Sequence, residues 1–306
     1  MTTTAPADPV ALAAPDAATG TELAAMRQAI AISAFGLGRT SPAPPAGCVI
    51  LDQGGRIVGQ GYRLRAGDPG AEANALAAAA AKAAHGTAVI TLEPDQDGAQ
   101  ELLDAGISRV VTSLPRPRGS AVQALADAGA QVVARVLEAE ALTVLGGWFM
   151  GLHTSRPTVT WAYLASRHQP RPLPRDLTEA EMLRARADVV LRPSGQPAEA
   201  VPGAHGPGVL RLPAVLPAGD PAGALAQLHA GGVRNLFLGG HPTLAVPFVE
   251  AGLVDRVVAY LAPLAASEKG EALAWPVPAG FRVTGVRRER QMVRVQAARA
   301  PQATRS

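Results

Sequence analysis

From residue 21 onward the chain alternates helical segments with short apolar runs, and the pattern restarts after Arg156-Pro157. Few folds accept such an order. Strands that read as continuous Val/Ile/Leu runs between helices belong in largely parallel sheets covered on both faces, so the chain is an α/β protein. In the first stretch Thr21 is placed to cap a helix in which Leu23, Met26 and Ile30 recur at helical spacing. Cys48–Leu51, the turn Asp52-Gln53-Gly54-Gly55 and Arg56–Tyr62 read as strand, turn, strand. An Ala-rich helix over 71–85, a strand at Thr87–Leu92, a helix over 100–105, a strand at Arg109–Leu114, a helix over 120–128 and a strand at Gln131–Val136 follow. A helix at Glu138–Leu152 is placed to join two domains.

The second stretch gives a strand over 158–165, a helix over 178–187 and a strand at Val189–Leu191. A segment dense in Pro and Gly, 193–221, precedes a helix over 222–230, a strand at Asn235–Leu238, a helix at Thr243–Gly252 and a strand at Arg256–Leu261. Phe281–Ala297 alternates as an antiparallel hairpin does. The expected division is a tail at 1–22, domains at 23–150 and 151–299, and a second tail at 300–306.

Composition narrows the function. One cysteine in 306 residues leaves no intramolecular disulfide and no zinc site built on two thiolates. Net charge is only +3, and the arginines at 282, 287, 288, 290 and 294 have no interleaved aromatics on which bases could stack. They read as a solvated strand face, and no nucleic-acid partner is expected. No run reaches the roughly 18 to 20 apolar residues of a membrane span. Residues 1–20 carry no Lys or Arg ahead of an apolar stretch, as a secretory signal would. A cytoplasmic protein is expected.

Gly36-Leu37-Gly38-Arg39 follows a helix and lacks a third glycine, so it is not a dinucleotide loop, and no Walker, HExxH or GxSxG motif occurs. Other motifs are informative in their order. Met26-Arg27-Gln28-Ala29, the run Gly38 to Val49 (GRTSPAPPAGCV) and Thr91-Leu92-Glu93-Pro94 lie in the first half. Arg156-Pro157-Thr158-Val159-Thr160, Leu164-Ala165-Ser166, Leu183 to Asp188 (LRARAD), Gly239 to Ala245 (GGHPTLA) and Ala251 to Asp255 (AGLVD) lie in the second. Together they resemble the bifunctional pyrimidine deaminase/reductase of riboflavin biosynthesis over residues 23–298. The resemblance implies a cytidine-deaminase-like domain followed by a dihydrofolate-reductase-like domain.

Zinc deaminases of this kind hold the metal with one His and two Cys, and a Glu shuttles protons to the activated water. Here the His-x-Glu segment reads Gly70-Ala71-Glu72 and the Pro-Cys segment reads Pro94-Asp95-Gln96-Asp97-Gly98. Glu72 is kept as a vestigial catalytic residue, and no zinc is expected. The family's loop Asn is Ala43, and Cys48 lies on a strand, away from the ligand positions. Asp95, Asp97 and His85 are metal-ligating types, although acids beside Gly98 are ordinary loop content. Without the ligands, Glu72 reads as a partly exposed helix residue.

In the reductase half the resemblance implies NADPH bound where Gly239 and Gly240 lead into a helix, with Thr243 and Leu244 at its start and backbone N–H groups facing phosphate. Ser166 is the retained substrate-binding residue, and a phosphoribosylamino-pyrimidine is the implied substrate, reduced by hydride transfer. The family's acidic residue before the glycines is Leu238, its Lys is Ala162 and its Asp is His168. His241 lengthens the turn, and Pro193 to Pro197 (PSGQP) replaces a cofactor segment. His168 has a proton donor's chemistry, while Arg171 and Arg175 have that of a phosphate clamp; all three equally suit a solvated loop. The expectation is a deaminase half without activity and a reductase half with NADPH as its possible cofactor. The alternative is a non-catalytic partner, stabiliser or sensor. A homodimer through the second domain is implied by the resemblance alone.

Overall fold

The computed structural model describes residues 13–166, 170–173, 177–192, 194–217, 219–239, 242–261, 277–289 and 292–300. It divides into two compact units, Met1–Gly146 and Gly147–Ser306.

The first unit opens with α1, Gly20–Ser33. Its cap is Thr19, two residues ahead of the expected Thr21. The Thr19 hydroxyl accepts from Glu22 N–H while the Glu22 carboxylate accepts from Thr19 N–H, a reciprocal box that satisfies two otherwise orphaned donors. Residues 13–22, expected to belong to a tail, are therefore structured. Ala13 also pairs with Val133, and Arg109 reaches Glu22 at 2.6 Å. The strands are β1 Gly47–Leu51, β2 Ile57–Tyr62, β3 Thr87–Leu92, β4 Arg109–Leu114 and β5 Gln131–Val133. The helices between and after them are α2 Ala71–Ala79, α3 Gln96–Asp104, α4 Val122–Asp127 and α5 Glu138–Thr154. α2 ends earlier than expected, its Ala-rich run tightening into a 3-10 turn at Ala80–Ala83.

The sheet order is β2-β1-β3-β4-β5, with β3, β4 and β5 parallel and β1 antiparallel to both neighbours. Every residue of β1 is buried, as expected of a strand covered on both faces. Cys48 and Ile50 pack with Ala75 and Ala79 of α2 and Leu102 of α3. The approach of α2 is close because β2 offers glycines. A Cβ on Gly59 would run into the Ala75 carbonyl, and one on Gly61 into the backbone of Ala71 and Ala75.

The second unit carries β6 Thr158–Ala165, α6 Thr178–Ala185, β7 Val189–Leu191, β8 Pro197–Glu199, α7 Pro221–Ala230, β9 Asn235–Leu238, α8 Pro242–Glu250, β10 Arg256–Leu261, β11 Phe281–Glu289 and β12 Met292–Arg299. Strand β8 lies within the Pro/Gly-rich segment, where no periodicity marks it. The order is β11-β12-β10-β6-β9-β7-β8. The four inner strands β10, β6, β9 and β7 run parallel, and the outer pairings are antiparallel. Alternate residues divide between two cores. Val159, Trp161 and Tyr163 pack with Leu225, Leu228 and Phe248, and Ala162, Val258 and Tyr260 pack with Leu177 and Ala180.

The N-terminal edge of this sheet is tied by carboxylates. Asp255, just ahead of β10, takes a bidentate pair from Arg156 at 2.7 and 2.6 Å and the N–H of Val159 at 2.8 Å. Removing that carboxylate orphans a half-buried guanidinium and a strand-end donor. The variant D255A is therefore expected to lower the stability of the second unit by about 2 kcal/mol. All three tryptophans lie in that unit, so a urea titration followed by their fluorescence measures it, and an unchanged midpoint would contradict the role assigned to Asp255.

Candidate functional site

In the first unit the retained acid sits at the start of α2. Glu72 is buried, at 7% exposure, where a partly exposed residue was expected. The reason is local. A Cβ on Gly70 would lie 3.1 Å from Glu72 Oε2, and one on Gly98 would lie 3.4 Å from Glu72 Oε1. The carboxyl is thus lodged between two residues that have no side chains.

Arginines border this pocket. The Arg63 guanidinium lies 3.6 Å from the same Cβ position at Gly70 and donates to the Asp68 carbonyl at 2.7 Å. Arg116 donates to the Glu93 carbonyl at 2.8 Å and lies 3.5 Å from Asp95. Asp95 meanwhile caps α3, accepting from Gly98 N–H at 3.1 Å. Glu93 is tied down by the Arg116 N–H and the Ser120 hydroxyl.

His85 precedes β3 while Asp95 and Asp97 follow it, so the strand holds the histidine at the opposite edge of the sheet from the two acids. Among the described residues no three His, Cys, Asp or Glu side chains gather as a metal ion would require. Cys48 is fully buried, and burial pushes its thiol up.

Burial also raises the Glu72 carboxyl above its ordinary value, against the opposing pull of its own N–H and the Arg116 charge. The native state therefore keeps a proton that the unfolded chain has already lost, and stability falls as pH rises from about 4.5 through the raised value. The variant E72Q carries no such loss. It is expected to melt higher than the parent at pH 8, with the difference closing toward pH 4; an equal gap at both pH values would refute this.

In the second unit a cleft of about 300 Å³ opens at the C-terminal edge of the parallel strands. Thr243 and Leu244, at the start of α8, line it together with Pro247 and Phe248. Ser194 and Gly195, from the turn between β7 and β8, form a second wall, and Val215, Leu216 and Pro217 a third. The segment read from sequence as the loss of a cofactor motif thus supplies part of the cleft.

Gly239 directly follows β9, where a Cβ would strike the Phe237 ring; it is not among the residues lining the cleft. Gly240, His241, His168 and Arg175 fall outside the described residues. Ser166 directly follows β6, the strand beside β9, and does not line the cleft. Arg171 is exposed and pairs through its backbone with Leu164.

Sequence reasoning passed over the apolar walls. On α8 a signal was there: Pro247 and Phe248 stand at i+3 and i+4 from Leu244, which was expected at the site, so the three share one face of the helix. The wall from 215–217 carried none, because it lies in an aperiodic stretch.

Residues 20–114 match the cytidine and deoxycytidylate deaminase zinc-binding region, and residues 163–273 match the RibD C-terminal domain. The riboflavin biosynthesis protein RibD of Corynebacterium ammoniagenes is 31% identical over 297 residues, covering 78% of this chain and 85% of that protein. RibD of Mycobacterium tuberculosis is 32% identical over 276 residues, covering 74% and 80%. Among solved structures, a Thermotoga maritima diaminohydroxyphosphoribosylaminopyrimidine deaminase/5-amino-6-(5-phosphoribosylamino)uracil reductase aligns with a TM-score of 0.73 at 18% identity, covering 92% of this chain and 99% of that one. RibD of Acinetobacter baumannii aligns with a TM-score of 0.70 at 22% identity over the same shares. Both have the fold described above, a deaminase-type unit followed by a reductase-type unit. With the two halves matched in order and most of each RibD relative covered, the chain belongs to the RibD deaminase/reductase family of riboflavin biosynthesis.

Proposed function

We propose that this family member keeps its chemistry in the second unit, as an NADPH-dependent reductase of a phosphoribosylamino-pyrimidine, and that its first unit has no zinc and no deaminase activity. The observation that carries the reductase reading is the cleft formed by Thr243, Leu244, Ser194 and Gly195 at the C-terminal strand edge. Ligands of open parallel sheets bind at that edge, and the volume lies at the lower end of small-molecule sites. The dinucleotide would supply the hydride. The chain's own part is to hold and orient. The first turn of α8 presents N–H groups and the Thr243 hydroxyl to phosphate oxygens. The apolar faces of Leu244 and Phe248 cover a ring, and Ser166 offers a hydroxyl to the substrate. Most of the rate then comes from keeping two reactants in one geometry.

The donor set of the first unit does not fit zinc. Gly70 offers no ligand, Asp95 is engaged in capping α3 beside Arg116, and the Glu72 carboxyl fills the space beside Gly70. A water molecule with no metal to acidify it keeps a pKa near 15.7 (roughly the bulk value), so Glu72 has no activated nucleophile to serve.

Titration with NADPH should raise the thermal midpoint, reflecting a gain in stability on the order of 2.7 kcal/mol at a hundredfold excess over the dissociation constant. T243V should weaken binding about fivefold, one hydrogen bond's worth. No shift at millimolar NADPH would sink the reductase reading. Binding without turnover of the pyrimidine would favour the non-catalytic sensor, and stoichiometric zinc by elemental analysis would overturn the metal-free reading.

The second unit also supports a homodimer. Strand β11 is the sheet's edge, and Val283 and Val286 on it are exposed, an arrangement that invites pairing with another chain. The variant V286K is expected to shift the mass in solution from dimer to monomer; a monomeric parent would refute the dimer.

A further inference from the structure

One buried group lies outside this scheme. His205 is fully buried, with Nε2 hydrogen-bonded to Asp188 Oδ1 at 3.2 Å, while Nδ1 lies 3.3 Å from Glu199 Oε1 without a hydrogen bond to it. Asp188 is itself fixed, its other oxygen accepting the N–H groups of Arg234 and Asn235 at 2.8 Å each.

The place of this group in the fold gives it a task. Asp188 and Glu199 stand at the base of the β7–β8 hairpin, whose strands pair at Val189↔Glu199, Val190↔Ala198 and Leu191↔Pro197, with one backbone bond at each end, Ala200 N–H to the Asp188 carbonyl and Arg192 N–H to the Gln196 carbonyl. A ladder this short lies at a sheet edge, and Pro197 has no N–H to donate to it, so a further tie at its base matters. The tip of the same hairpin carries Ser194 and Gly195 into the cleft. At about 3.3 Å per residue, base and tip are roughly 10 Å apart, so a tilt of about 10° at the base moves the tip by roughly 2 Å. Beyond His205 the chain runs on to Val215 and Leu216, the neighbouring wall.

We propose that His205 is a positioning residue: bonded to Asp188 and packed against the Glu199 carboxylate, it fixes the β7–β8 hairpin and thereby sets Ser194 and Gly195 against the dinucleotide. This rests on the cleft being the dinucleotide site.

The test uses the full chain with NADPH as probe. H205F fills the ring's volume without a donor, and E199Q keeps the shape of the partner without its charge. H205F is expected to raise the NADPH dissociation constant tenfold or more, and E199Q about threefold. Amide exchange should quicken across 189–199 while β6 and β10 stay as protected as in the parent. If the parent binds no NADPH, the cleft reading fails, and with it this inference. If the parent binds and both variants bind equally well, the cleft reading stands and the positioning role is overturned. Exchange quickened throughout the second unit would make His205 a general structural residue and also overturn it. Should H205F not fold, E199Q decides alone, and an unchanged dissociation constant refutes the proposal.

Discussion

The second unit depends on two aspartates used in the same way. Asp188 and Asp255 each stand immediately before a strand, and each accepts N–H groups from the start of the adjacent parallel strand. Parallel strands cannot be joined by a tight turn, so their relative heights must be set some other way. A carboxylate at each junction does this, taking up donors that would otherwise be orphaned at the strand ends. Arg156 neutralises one carboxylate and His205 stands beside the other. With the N-terminal edge committed to structure, the C-terminal edge is free to carry the cleft.

The first unit spends its polar groups differently. Glu22, in the first turn of α1, ties that helix to β4 through Arg109. At the opposite edge of the sheet, Arg116 gathers the β3–α3 junction by bonding Glu93 and approaching Asp95. A guanidinium thus stands among the acids of a segment that, in a zinc deaminase, would carry thiolate. Its charge is held on the chain and needs no assembly from solution.

Much of the fold was legible in the sequence. Strands such as Thr87–Leu92, Arg109–Leu114 and Asn235–Leu238 fall where short apolar runs between helices put them, because burial on both faces leaves an unbroken apolar signature. Legibility failed where tertiary contacts override local pattern. Thr19 rather than Thr21 caps α1 because Glu22 completes the box only with Thr19. β8 is a three-residue strand in a Pro/Gly-rich stretch, placed by its pairing with β7. The cleft was legible in part. Thr243 and Leu244, singled out by the strand–turn–helix layout, line it, whereas Ser194 and Gly195 line it from a segment whose letters gave no such signal.

The glycines of β2 bear on the fate of Glu72. With no side chains between Gly59, Gly61 and the peptide groups of Ala71 and Ala75, helix and strand touch backbone to backbone, and there is no layer of rotamers to absorb change. The height and tilt of α2 are therefore inherited from the sheet and not from whatever occupies the pocket in front of it. The location of a carboxyl borne on such a helix is thus set by backbone packing, independently of what its side chain meets.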